Sequence, residues 1–153
     1  MDYVQVLSAC REPRVGLAVL DALTKLFERD IQLLGVNASE ESATAKIAQY
    51  LQPHFPNMHI DVEYNRMGNA PKKVAWSGKL EEVYPDIIVH LRETETNILA
   101  IEIKKDSNRE SKGKDILKLQ AYRDELGYHH ALFMRLGVKA AAGDVSECEW
   151  VGA

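Results

Sequence analysis

Apolar residues return every three or four positions across residues 15–34: Leu17, Leu20, Leu23, Leu26 or Phe27, Ile31 and Leu34. That spacing predicts one amphipathic helix, stopped by Gly35. Asn37 and Glu40 have the spacing of a capping box, and predict a second helix to about Gln52 that Pro53 and Pro56 end. At His59 the period drops to two. Ile60, Val62 and Tyr64 alternate with Asp61, Glu63 and Asn65, predicting a half-buried strand as far as Arg66. Residues 67–79, with Gly68, Pro71 and Gly78, read as loop. Two denser apolar runs, 86–91 and 97–103, carry β-branched residues on both faces and predict central strands. A helix over 112–126 closed by Gly127, a strand over 129–136 and a short edge strand at 147–151 complete the chain. The order α–α–β–β–β–α–β predicts an α/β fold in three layers, a central mixed sheet flanked by helices with an extra N-terminal helix.

A length of 153 residues suits a single domain over 1–153, with a core at about 39–136. No apolar stretch approaches the ~20 residues that span a bilayer, and the first residues lack the pattern of a secretory signal. A soluble cytoplasmic protein without membrane contact is expected. Cys10 and Cys148 sit far apart and read as ordinary thiols. The net charge of −4 argues against a protein that coats nucleic acid indiscriminately. Between Lys104 and Arg123, however, seven cationic side chains face three anionic ones, a local excess of four positive charges.

That basic stretch adjoins the residues with the most chemistry. Asp86 opens one central strand, and Glu102 and Lys104 lie near the end of the next, two apart and therefore on one face. If the hairpin pairs Leu91 with Asn97, Asp86 stands opposite Glu102. Two carboxylates about 4 Å apart repel by about 4 kcal/mol at an effective dielectric of ~20. A divalent cation reverses that sign. Mg²⁺, for which Mn²⁺ substitutes, takes one or two carboxylates, water and substrate phosphate. Asp86 and Glu102 are the expected ligands, with the Ile103 carbonyl as a third. The metal would acidify water and polarise a phosphate. Lys104 would orient the attacking water, help deprotonate it, or stabilise the transition state. Arg66, Lys72 and Lys73, in the loop, are candidate phosphate contacts, as is Lys105 in the basic run. His90, mid-strand among apolar residues, reads as a packed core histidine. His129 and His130, adjacent on a strand, point to opposite faces and do not suit a shared zinc.

The string Tyr84-Pro85-Asp86-Ile87-Ile88-Val89 followed by Ile101-Glu102-Ile103-Lys104 resembles the signature of the PD-(D/E)XK phosphodiesterase superfamily, which includes type II restriction endonucleases and Holliday junction resolvases. The predicted core is similar to theirs, a restriction-endonuclease-like fold, and the chain looks like small stand-alone bacterial members. The resemblance implies a Mg²⁺-dependent nuclease acting on DNA, with Asp86 and Glu102 as metal carboxylates and Lys104 as catalytic lysine. Glu41 matches the acidic residue that many members place in the first core helix. It lies on a Glu41–Ala45–Ala48 stripe suited to close approach to the sheet, while Glu40 is its competitor. Some members carry Gln-x-x-x-Tyr in the following helix; here Tyr122 is preceded four positions earlier by Lys118, and Gln120 resembles the resolvase arrangement. The rival reading is a catalytically idle module that binds nucleic acid or protein. The apolar stripe of the first helix, with no evident need of it in the core, is compatible with a homodimer.

Overall fold

The computed structural model describes residues 2–37, 40–63, 73–78 and 81–152. Four helices come first: α1 (Tyr3–Ser8), α2 (Pro13–Arg29), α3 (Ile31–Gly35) and α4 (Glu40–Leu51). Strands β1 (His59–Val62), β2 (Lys73–Val74), β3 (Glu81–Glu82), β4 (Ile87–His90) and β5 (Asn97–Lys105) follow, then α5 (Gly113–Leu126), β6 (His130–Leu136) and β7 (Val145–Trp150). The five long strands form a mixed sheet in the order β1-β4-β5-β6-β7, in which β5 and β6 run parallel and the other pairs antiparallel. Helices cover both faces.

Strand alternation sorts the side chains into two cores. Ile87, Val89, Leu99, Ile101 and Ile103 face the N-terminal helices, packing with Leu23, Leu26, Ile47 and Leu51. Ile88, Ala100, Ala131 and Phe133 face α5, packing with Leu119, Tyr122 and Leu126. Burial on both faces explains the near-continuous apolar runs of β4, β5 and β6. Gly127 closes α5 in the left-handed conformation at φ 72°, as its sequence position predicts.

Several expectations are corrected. The single helix over 15–34 is two, broken at Asp30, whose carboxylate accepts the Tyr50 hydroxyl from α4. The inward face is Val15, Val19, Ala22, Leu23 and Leu26, so the expected stripe is buried at Leu23, Leu26 and Leu34 while Leu17 is exposed. Asn37 has a φ of 54°, unlike the extended backbone of an N-cap, and α4 starts at Glu40. Strand β1 stops at Val62, and Glu63 turns the chain at φ 50°. The loop before β4 contains a small β2–β3 ladder. The hairpin pairs His90, not Leu91, with Asn97, because a bulge between Val89 and His90 shifts the register near the turn.

Helix α1, which the apolar periodicity does not predict, crosses α2 at Gly16. A Cβ there would come within 1.9 Å of the Leu7 carbonyl oxygen. Gly16→Ala is therefore expected to lower stability by about 2 kcal/mol, read as a shifted urea midpoint. An unchanged midpoint would show that this crossing contributes nothing. Two polar links bind the same corner to the sheet: the Trp150 indole N–H donates to the Val6 carbonyl at 2.9 Å, and His130 Nε2 lies 3.0 Å from Glu12. Cys10 and Cys148 are both buried and free.

Candidate active site

Strand β5 runs past the start of β4. Ile87 pairs with Ile101, so extending that register by one residue sets Asp86 opposite Glu102, as the sequence expectation had it. Beyond that point the N–H groups of Ile103 and Lys105 have no strand partner on the β4 side. Two carboxylates take them instead. Asp86 Oδ2 accepts from the Ile103 N–H at 2.8 Å, and Glu40 Oε1 accepts from the Lys105 N–H at 3.2 Å. The acids are thus held at the sheet margin by backbone donors that β4 is too short to reach. The Ile103 carbonyl projects to the same side as its N–H, as in any pleated strand.

Glu102 and Lys104 share the face of Ala100, toward α5. Glu102 is 8% exposed, and the Tyr122 hydroxyl donates to its Oε1 at 3.0 Å. Burial pushes the Glu102 carboxyl well above its usual range, and the hydrogen-bonded Asp86 carboxyl pushes it further. Burial also raises Asp86, although the Ile103 N–H pulls the other way. The pair therefore holds a proton more tightly than two separate carboxyls would, Glu102 above all because its burial is the deeper.

Lys104 lies 3.3 Å from Asp115 Oδ2 on α5 and 3.4 Å from Glu110 Oε2. Burial alone would depress its ammonium, but the two carboxylates outweigh it and raise the pKa. The two acids thus favour the ammonium form of Lys104. Glu110 is well exposed, so Asp115, 8% exposed, is the stronger partner.

Glu40 and Glu41 stand at the start of α4. The stripe facing the sheet is Glu40–Thr44–Ile47–Leu51, and not Glu41–Ala45–Ala48, since Glu41 and Ala45 are exposed. Both glutamates line a cleft of about 300 Å³ with Val62, Glu63 and Asp86. Arg66 and Lys72 lie outside the described residues. Lys73 is exposed on β2, opposite Glu82, and the Lys105 side chain lies on the other sheet face from Lys104. Gln120 is about 140° around α5 from Asp115 and donates to Asp124 at 3.1 Å, so it does not face Glu102. His90 is buried with Nε2 2.6 Å from Asp61 Oδ2, a satisfied core histidine. A larger groove of about 1230 Å³ between α4 and β1 contains Asp61, but His90 and Arg92 already occupy that carboxylate.

Asp115 was not singled out from sequence as a site residue. Its signal is the 4–3–4 repeat Asp115, Leu119, Tyr122, Leu126, which sets an acid on the buried face of α5. Among the described residues no group of three or more His, Cys, Asp or Glu side chains is arranged to hold a metal ion. The donor set here is two carboxylates and a main-chain carbonyl, which fits Mg²⁺, an ion that keeps several waters.

No helix among the described residues is long and apolar enough to cross a membrane. No protein-family model matches the chain, and no curated protein matches it in sequence. The crystal structure of SSO0001 is similar over 87% of this chain, at 14% identity and a TM-score of 0.41; the chain spans 65% of that structure's length.

Proposed function

We propose that the chain is a metal-dependent nuclease that hydrolyses phosphodiester bonds in DNA, on a restriction-endonuclease-like version of its α/β fold. The observation that carries this reading is the opposition of Asp86 and Glu102 at the sheet margin, with the Lys104 ammonium on the same face as Glu102. Two acids that cannot both ionise without a counter-charge are a standing cost to the fold, and a divalent cation removes it.

Asp86 and Glu102 would hold the ion, with the Ile103 carbonyl beside them. When bound, Mg²⁺ polarises the scissile phosphate and acidifies water. The chain's own residues supply the rest. Tyr122 fixes the Glu102 carboxyl by its hydrogen bond, and the Ile103 N–H fixes that of Asp86. Lys104, held charged by Asp115, offsets the negative charge that grows on the phosphoryl oxygens.

The test is incubation with supercoiled, linear and branched DNA in Mg²⁺, Mn²⁺ or EDTA, beside Lys104→Ala and Asp86→Asn. The asparagine keeps an oxygen to accept from Ile103 N–H, so it removes charge without emptying the hydrogen bond. Each variant should lose on the order of 10²- to 10³-fold in cleavage rate. Cleavage that survives EDTA, or survives both substitutions in folded protein, would overturn the proposal. Metal binding without cleavage of any substrate would favour the idle module.

A further inference from the structure

We infer that Trp76, with Lys114 and Lys118, forms a docking platform for single-stranded nucleic acid beside the candidate active site. The inference rests on the nuclease reading for its purpose, but not for its test.

Trp76 follows β2 in the turn toward β3. The turn is pinned to α5, because the Ala75 N–H donates to both carboxylate oxygens of Glu125, at 3.1 and 3.2 Å. The half-buried indole packs partly against the α5-side core. Over its ring stand two ammonium groups, Lys114 Nζ at 5.4 Å and Lys118 Nζ at 5.3 Å from the centroid. These lysines are one helical turn apart, where like charges repel. Two other cations of the same basic run are ion-paired, Lys104 with Asp115 and Glu110 and Lys112 with Glu147. Among the described residues Lys114 and Lys118 make no ion pair, so two positive charges converge on one aromatic face without an anion.

A polynucleotide supplies what is missing. A phosphate set against both ammonium groups turns their repulsion into attraction, and frees the indole face for a base. The base must be unpaired, since a duplex presents phosphates but keeps base faces stacked inside. The position suits delivery to the site. Lys114 adjoins Asp115, the partner of Lys104, and Lys118 is three residues further, roughly 5 Å along the helix. The chain's net charge of −4 also favours a short local footprint over one that tracks a long duplex.

The experiment reads Trp76 emission in a Trp150→Phe background, in EDTA so that nothing is cut. A twelve-residue thymidine oligonucleotide should quench and shift the emission. The Lys114→Ala/Lys118→Ala double variant should bind it about tenfold more weakly, and Trp76→Ala, followed by anisotropy of labelled oligonucleotide, by a similar factor. A matched hairpin duplex should leave emission nearly unchanged. The platform is overturned if the oligonucleotide leaves emission unaltered, if the double variant binds as tightly as its parent, or if duplex or inorganic polyphosphate quenches equally well. Metal-dependent cleavage without quenching would remove the platform alone. Quenching without cleavage would remove the nuclease reading and leave the platform standing.

Discussion

Replacing Glu102 with glutamine is expected to make the metal-free protein more stable while lowering cleavage on the order of 10³-fold. Both effects come from one charge. Glu102 is 8% exposed, and burial, then Asp86, raises its carboxyl well above the ordinary range. A folded-state pKa above the unfolded one means that the native state binds the proton more tightly. The stability this confers is fully present below the unfolded value, about 4.5, and is lost as pH rises through the folded value. In EDTA the wild type should therefore lose stability from acid toward neutral and alkaline pH. Glutamine has no proton to lose, keeps an oxygen for the Tyr122 hydroxyl, and should flatten that portion of the profile. Each kcal/mol relieved at neutral pH would raise Tm by roughly 2–4 °C at this chain length. A divalent cation should act in the opposite order. At a hundredfold excess over its Kd it would stabilise the wild type by about 2.7 kcal/mol, and the glutamine variant far less. Calorimetric scans across pH, with Mg²⁺ and with EDTA, measure all of this. Equal Tm values for the two proteins in EDTA at every pH would sink the account.

The second large effect is expected at Arg135, which no site motif includes. Its guanidinium, 8% exposed, donates to the carbonyls of Asn108 at 2.6 Å and Glu110 at 2.9 Å, and to Glu147 at 2.7 Å. One side chain thus holds the β5–α5 connection onto β6 and β7. Arg135→Met keeps much of the stem packing but strands two carbonyls and leaves Glu147 with Lys112 alone. The expected loss is about 3 kcal/mol, measured by urea unfolding. Cleavage should fall as well, about tenfold, because Glu110 and Asp115 lose their fixed approach to Lys104. A loss under 1 kcal/mol would show that water replaces the guanidinium at little cost. Acid should weaken the wild-type tie, with the opposite sign to Glu102. Burial would raise the Glu147 carboxyl, but Arg135 and Lys112 outweigh it and lower the pKa, so its contribution is present above the unfolded value and disappears as pH falls through the folded one.

Local pattern was enough for much of the molecule. Apolar runs at 86–91 and 97–103 marked two central strands, because strands buried on both faces leave few polar positions. Helix α5 and its Gly127 stop were legible because amphipathic spacing and a left-handed cap are both local. So was the opposition of Asp86 and Glu102, since a short hairpin fixes its own register. The bulge between Val89 and His90 moved the pairing only at the turn end and left the far end as expected. The break at Asp30 was not legible, and the contact its carboxylate makes there, with a tyrosine twenty residues away on another helix, is one that local pattern does not encode.

What the sequence determined by itself is an acid–acid–lysine set, with Asp86 just before β4 and Glu102 and Lys104 on β5, since period two fixes which side chains share a face. Tertiary structure alone decided what surrounds it. Glu40 rather than Glu41 reaches β5, because the rotation of α4 is set by which stripe buries best, and its small residues left several stripes open. Asp115 and Tyr122 meet Lys104 and Glu102 because α5 folds back across the sheet, a contact between residues many positions apart that no local periodicity encodes.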